Sequence, residues 1–458
     1  MPTLQATDNR WLVRSIVIAQ FGPAFMFSGV AIALPEMGRE LQMSAASLGL
    51  VETVFIASST AFLLPAGRIA DIAPRGLVYR WMLAAFGLLS LLIGCVSDGS
   101  LVLVLRVLQG ISAALCTASG PALLTDLVPA ERRGRIFGAM MGMAYAGLAF
   151  GPLAAGWIVE NLGWRSVFFV GAAQILIGGL PVLLQLRDRW QKPTAGLHLP
   201  STVLICVGTA PIVVLVSALE RGASPWPWAA AAAVLLGAFF WWQPRLQDPL
   251  LDLRELVRNG VLRAALLVQA LLYLNAYCSI FLLSLYLQVG KGLDARFAGL
   301  WLMTGSIVMA IVAPYAGRLS DRMRPQVVSG IGVVFVAISS ALGLCLDGDA
   351  PAWWVGAVLG TQGLGFGLFS SPNLSLILGS LPRERGGFAS AIAAQSRGIG
   401  MFSGMAITSA LIALRFGERS VQEDRAALLA TVHSAYLVLV VTSGVALLAV
   451  FARAARRS

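Results

Sequence analysis

Residues 66–71 read AGRIAD, and residues 316–321 read AGRLSD. Two more matches follow in the same order. RVLQG (106–110) stands over LGTQG (359–363), and VPAERRG (128–134) over LPRERGG (381–387). The offset is 250 residues for the first match and 253 for the other two, so the chain is an internal duplication. The fold is expected to consist of two related halves.

What lies between the matches indicates the class. Hydrophobic residues make up 58% of the 458 residues and charged ones 12%, with a mean hydropathy of +0.80. A water-soluble domain of this composition would expose a largely apolar surface. Apolar runs long enough to cross a hydrocarbon core of about 30 Å recur along the whole chain. Fourteen are found, near 12–34, 47–67, 77–97, 101–125, 135–159, 165–185, 201–219, 227–243, 261–289, 296–316, 327–346, 352–379, 387–414 and 428–451. They are continuous rather than alternating, which argues against a barrel of strands. Arg10, Arg14 and the small residues Ala31-Ile32-Ala33 resemble a signal segment, but the first run is too long for one and reads as a retained helix. Tryptophans cluster near the run ends, among them Trp11, Trp81, Trp164, Trp226, Trp228, Trp353 and Trp354, as an interfacial belt requires.

The expectation is an all-α polytopic membrane protein. Residues 1–186 form an N-terminal six-helix bundle, 187–260 a linker carrying transmembrane helices 7 and 8, and 261–458 a C-terminal six-helix bundle. The loop Arg187–Pro200 and the polar stretch 243–259 mark the two boundaries. An even number of spans puts both termini on one side. Lys and Arg concentrate in the connections on that side, which places the termini in the cytoplasm. The net charge of +11 reflects this asymmetry and is not a nucleic-acid footprint. The five cysteines contain no C-x-x-C pair and read as packing residues. Two histidines, and no lysine followed by Ser or Thr, argue against an enzyme. No metal and no cofactor is expected.

Four stretches carry a resemblance to a family. They are GRIADIAPR (67–75), RVLQGISAA (106–114), the glycines of the fifth run (Gly138, Gly147, Gly151 and Gly156, with Pro152), and QDPLLDLR (247–254) followed by a ninth run ending LYLQ (285–288). With these the chain resembles the fourteen-span, proton-coupled drug antiporter branch of the major facilitator superfamily, over essentially its full length. The fifth-run signature is the most specific of the four for export by antiport; the first two are general to the superfamily. Three departures stand out. Ala155 replaces a usual glycine, Ile72 and Pro74 replace a basic residue and a glycine, and Met26 occupies a position that relatives give to an acid.

The resemblance implies roles for particular residues. Asp71 would latch onto the start of the thirteenth helix near Gly386–Ser390, and Asp321 onto the fifth near Gly134. Gly67, Arg68, Arg75, Asp126 and Gly317 would surround these latches. A carboxylate at a helix start accepts free N–H groups and meets the positive end of the helix dipole; the plainer reading is a pair of solvated turn residues. The pairs Gly138/Gly142 and Gly147/Gly151 are each four apart, so each pair shares a face open to close helix approach. Pro152 would kink the helix beside them. Such a helix suits a hinge between halves, or simple small-residue packing.

Two ionisable residues lie well inside apolar runs at similar depth, Glu52 in LVETVFI (50–56) and Arg106. Embedded charges usually have a partner and a function. Glu52 is read as a proton-coupling carboxylate paired with Arg106, as a static brace, or as an edge residue reaching water. Substrate is expected to meet Met26, Phe27, Gln109, Tyr273, Asn275, Tyr277, Gln362, Asn373 and Arg397, a mixture of aromatic and amide groups suited to amphipathic molecules. His433 is a second titratable candidate.

The expected function is secondary active transport, namely proton-coupled export of amphipathic small molecules by alternating access. The expected setting is the bacterial inner membrane, with the protein a monomer in the lipid bilayer. The alternatives are a dedicated exporter or importer of one metabolite, or a non-transporting receptor or assembly subunit of the same fold.

Overall fold

A computed structural model describes residues 8–43, 45–185, 197–220, 224, 226–246, 249–293, 295–416 and 425–455. The boundary loop expected from Arg187 falls mostly outside these residues. Every one of the fourteen apolar runs is helical. The first divides at Ala19–Gln20 into α1 (Asp8–Ile18) and α2 (Phe21–Glu40). There follow α3 (Ala45–Ile72), α4 (Arg75–Cys95), α5 (Gly99–Leu127), α6 (Arg133–Leu162), α7 (Arg165–Gly178) and α8 (Leu180–Gln185). Next come α9 (Leu199–Glu220), α10 (Trp226–Trp242) and the short α11 (Leu253–Arg258). The remainder is α12 (Gly260–Leu285), α13 (Ala295–Arg322), α14 (Pro325–Gly343), α15 (Ala352–Gly379), α16 (Gly386–Phe416) and α17 (Arg425–Ala455). Among the described residues, ten helices are long and apolar enough to cross a membrane, fewer than the fourteen runs. The other four runs fall short for different reasons: 165–185 breaks into the short α7 and α8, α9 counts as an apolar helix only over Leu199–Thr209, α10 has 17 residues, and α15 is diluted by glycine and polar residues.

The duplication read from the sequence is visible in the elements. Helices α3 and α13 are both 28 residues long and carry AGRIAD and AGRLSD at their ends. Matching single 3-10 turns, Ala130–Arg132 and Arg383–Arg385, precede the long helices α6 and α16. Local chemistry sets several ends. Pro74 disfavours helix in the residue before it and stands at the N-cap of α4. Asp98 caps α5, its carboxylate accepting from the Ser100 and Leu101 N–H groups. Prolines inside α3, α5, α6, α13 and α15 are of the kind apolar helices tolerate when neighbours satisfy the freed backbone.

The chain forms two compact units, and their borders run through α6 and α16. The first contains Met1–Pro129, Gly147–Asn259 and Leu381–Gln395; the second contains Ala130–Ala146, Gly260–Ser380 and Ser396–Ser458. In the first, α5 packs against α3 and α4, α7 against α2 and α4, and α9 against α3 and α10. Alanines 66, 70, 114, 118 and 391 bring α3, α5 and the start of α16 close together. In the second, α15 packs against α13 and α14, and α17 against α12 and α14. The outward faces are apolar. Leu184, Val441, Leu448 and Phe451 are all largely exposed, which suits lipid rather than water.

Candidate functional site

The end of α3 carries the densest polar network of the first unit. Asp71 accepts two backbone hydrogen bonds from the start of α16, from Gly387 N–H at 2.7 Å and Phe388 N–H at 2.9 Å. These are groups that a helix start leaves without an intrahelical partner. Arg75 is 5% exposed and uses all three of its nitrogens. It donates to the Ala70 carbonyl, to both Asp126 oxygens, to Asp71 at 3.1 Å, and to the carbonyls of Arg383 and Glu384. Arg68 lies one turn before Asp71 on α3 and is half-buried. Contact is close because Gly67 has no side chain. A Cβ there would lie 2.5 Å from the Ala391 Cβ and 2.9 Å from the Gly387 carbonyl oxygen.

The repeat builds a smaller version in the second unit. Asp321 accepts from Gly134 N–H at 2.8 Å and Arg135 N–H at 2.9 Å, at the start of α6. A Cβ on Gly317 would lie 2.2 Å from the Gly134 carbonyl oxygen and 2.8 Å from the Gly138 Cα. At the repeat position of Arg75 stands Pro325, so no guanidinium supports this carboxylate from there. Each aspartate thus ties its own sequence half to the first turn of a helix from the other half.

The fifth-run glycines separate by unit. Gly138 and Gly142 face Ala313, Pro314 and Gly317 of α13, while Gly147 and Gly151 face Phe21, Phe25 and Ser28 of α2. Pro152 stands inside α6 beside the second pair. Gly156, the remaining glycine of the motif, faces open space: a Cβ there would meet nothing within 4 Å.

Glu52 and Arg106 make no hydrogen bond or ion pair with each other, although their charges lie close enough to act on one another. Arg106 is 2% exposed and donates instead to the Val51 carbonyl at 3.0 Å and the Gln109 side chain at 2.8 Å, with its guanidinium 4.5 Å from the Phe55 ring centre. The reason is competition: a carbonyl of α3 and an amide one turn along α5 take up two of the guanidinium's nitrogens. Glu52 Oε1 is buried with no hydrogen-bond partner.

Several expected wall residues are packed inside their units rather than facing open space. Met26 lies against Ser90 and Gly171, and Gln109 joins Arg106 to Ser90. Asn275 donates to Ser340, Ser443 and the Leu439 carbonyl and accepts from Gln362; Asn373 donates to Gln269 and the Ala265 carbonyl. Amides in an apolar bundle find each other, because an unpaired polar group there costs about 1–3 kcal/mol. Phe27, Tyr273, Tyr277 and Arg397 remain partly exposed. His433 lies on the exposed surface of α17, away from these groups.

Two clusters had no sequence signal beyond residue type. Arg385, in the turn gripped by Arg75, donates to Asp252 at 3.1 Å, and Asp252 also caps α11. Burial pushes the Asp252 carboxyl up, but the Glu255 N–H and Arg385 outweigh it and hold it below its ordinary value. At the opposite ends of the helices, Glu40 accepts from the Trp164 indole at 2.6 Å and pairs with Arg165, which also donates to the Val96 carbonyl. The hydrogen bond from Arg165, then that from Trp164, hold the Glu40 carboxyl below its ordinary value.

These paired aspartate–helix contacts on a duplicated apolar bundle accompany a family match. Residues 16–261 and 265–458 match the Major Facilitator Superfamily. The chain belongs to this superfamily. It is 31% identical over 423 residues to the puromycin resistance protein pur8 of Streptomyces alboniger, covering 88% of this chain and 82% of that protein. It is 25% identical over 410 residues to the riboflavin transporter RibZ of Clostridioides difficile, covering 88% and 89%. Its fold is similar to the crystal structure of the human organic anion transporter MFSD10 (TETRAN), with a TM-score of 0.65 at 15% identity, covering 97% and 99% of the two chains. This superfamily chain is a membrane transporter in kind, and its relatives include both resistance proteins and a vitamin transporter.

Proposed function

We propose that the protein is a proton-coupled exporter of amphipathic small molecules that works by alternating access. In this reading it has fourteen spans, a six-helix half at 1–186, an inserted pair at 187–260 and a second half at 261–458. It is a monomer in the bacterial inner membrane with both termini in the cytoplasm. The observation that carries the reading is the reciprocal pair of ties, Asp71 to Gly387 and Phe388, and Asp321 to Gly134 and Arg135. Each tie is a few charge-assisted hydrogen bonds between sequence halves, strong enough to hold one state and few enough to release. The pairwise packing of Gly138/Gly142 and Gly147/Gly151 supports α6 as the helix on which the halves move. Glu52, a carboxylate in an apolar span with a buried unpartnered oxygen, is the group assigned to carry the proton. Resemblance to pur8, whose name is that of a resistance protein, favours export.

A dedicated metabolite transporter is the second reading, favoured by the similarity to RibZ. Proteoliposomes holding the full chain distinguish them. With an imposed pH gradient, ethidium should move against its own gradient, and Glu52→Gln should abolish that coupling while leaving binding intact. Riboflavin moved in place of ethidium favours the second reading. Equal coupled flux in wild type and Glu52→Gln removes Glu52 from the mechanism.

A further inference from the structure

Arg397 lies eleven residues into the 31-residue α16, about 17 Å along its axis at 1.5 Å per residue. That is near the middle of a hydrocarbon core, where a charge with no compensation is costly. Arg106, the other embedded arginine, is hydrogen-bonded through Nε and Nη1. Arg397, among the described residues, makes no hydrogen bond and no ion pair; its contact is the face of Tyr273, 5.9 Å from guanidinium to ring centre.

The groups beside it have one chemical bias. Tyr145 packs in one cluster with Tyr273 and Tyr277. Tyr145 also lies beside Ser370, with Arg397 near enough for its charge to act on both Tyr145 and Tyr277. Tyr145 and Ser370 are each 8% exposed, and the hydroxyls of both are buried, with no partner beyond the weak contacts that Tyr145 makes with Ser370 and Tyr273. All these groups belong to the second unit. A guanidinium and two hydroxyls therefore converge with no anionic acceptor among them, walled by aromatic rings. An embedded guanidinium facing only hydroxyls and rings calls for a counter-charge. No side-chain carboxylate of the described second-unit residues is paired with the arginine, which leaves its guanidinium open to an anionic group.

We infer that Arg397, with Tyr145 and Ser370 as further donors and Tyr273 and Tyr277 as walls, is a recognition site for the carboxylate of an aromatic organic anion. The fork of the guanidinium matches a planar carboxylate, and the tyrosine rings match a flat apolar body. This deepens the transport reading and rests on it for the claim that the bound anion is cargo.

The test uses three probes of one size: 1-naphthoate, neutral 1-naphthamide and cationic 1-naphthylmethylammonium. Binding to the full chain in nanodiscs is measured by equilibrium dialysis. Wild type is expected to bind naphthoate at least about 10-fold more tightly than either other probe, the least that one hydrogen bond to a charged group supplies. Arg397→Gln should bring the three affinities together, and Arg397→Lys should keep part of the preference. Tyr145→Phe, which removes one hydroxyl and leaves the packing, should weaken naphthoate about 3- to 10-fold and leave naphthamide unchanged. Equal affinities in wild type, or a naphthoate preference that survives Arg397→Gln, would overturn the site. Proteoliposome flux separates the two claims. Arg397-dependent naphthoate binding without flux of any probe keeps the site and sinks the transport reading. Coupled ethidium flux without a naphthoate preference does the reverse.

Discussion

Replacing Asp71 by Asn leaves the shape of the side chain but removes its charge and one of its two acceptor oxygens. In the folded protein that carboxylate receives Gly387 N–H, Phe388 N–H and the Arg75 guanidinium, at 2.7, 2.9 and 3.1 Å. Its side chain is 9% exposed, so solvent screening is slight. Hydrogen bonds to a charged group contribute about 1.5–3 kcal/mol each, and neutral ones about 1. Two charged bonds, about 3–6 kcal/mol together, give way to one neutral bond of about 1, so the net loss is about 2–5 kcal/mol. At 1.4 kcal/mol per factor of ten, that shifts the opening equilibrium of this contact by about 30-fold or more. Hydrogen–deuterium exchange on the full chain in nanodiscs reads it directly. Peptides containing Gly387 and Phe388 should exchange faster by that factor in Asp71→Asn, while Gly134 and Arg135 stay as protected as in wild type. Exchange at Gly387 and Phe388 within about 3-fold of wild type would refute the reasoning, because the two amides would then owe their protection to burial and not to the carboxylate.

The repeat supplies its own control: Asp321→Asn should accelerate exchange at Gly134 and Arg135 by a smaller factor, since no arginine stands at Pro325 to be lost with it. Arg75→Lys should lower the thermal midpoint of the purified protein, because an ammonium cannot replace a fork that reaches two carboxylates and three carbonyls. Gly317→Ala should destabilise by about 1–3 kcal/mol in thermal unfolding, as its Cβ would meet backbone atoms that cannot rotate aside. Gly156→Ala, with open space around it, should leave the midpoint unchanged. Acid should weaken the Glu40 contact: its folded carboxyl titrates below the unfolded one, so its contribution is complete above about pH 4.5 and fades as pH falls through the lowered folded value. Glu40→Gln should therefore show less loss of thermal midpoint than wild type on going from pH 5 to pH 3.

The latch aspartates were legible because their chemistry is local and repeated. A carboxylate at the end of an apolar helix, written twice at an offset of 250, marks a repeated feature, and the family resemblance implied which helix starts the two would meet. The Arg75–Asp126 contact was legible for the same reason, as charges in one polar connection have few other places to go. Glu52 and Arg106 were legible as embedded charges at equal depth, but depth along two helices says nothing of rotation about their axes. One turn of Arg106 faces Val51 and Gln109, and those acceptors take the guanidinium. Met26, Asn275, Gln362 and Asn373 meet a similar limit: a polar or flexible residue in an apolar run marks a special place, but amide pairing inside a bundle produces the same mark as a substrate wall. Asp252 with Arg385, and Glu40 with Trp164, had no periodic or motif signal, since each joins connections far apart in the chain.

By itself the sequence determined that this is a helical membrane protein built from two related halves, because composition, run length and internal repetition survive without any knowledge of packing. It also determined which backbone groups would lack partners, since helix starts and prolines announce themselves. Only the tertiary structure decided which side chains meet across those helices. That choice depends on helix rotation and interaxial distance, quantities to which a glycine at 67 or 317 contributes by the absence of a single carbon. It gave Arg106 two acceptors and left Arg397, among the described residues, against a ring face alone, although both arginines lie well inside apolar runs.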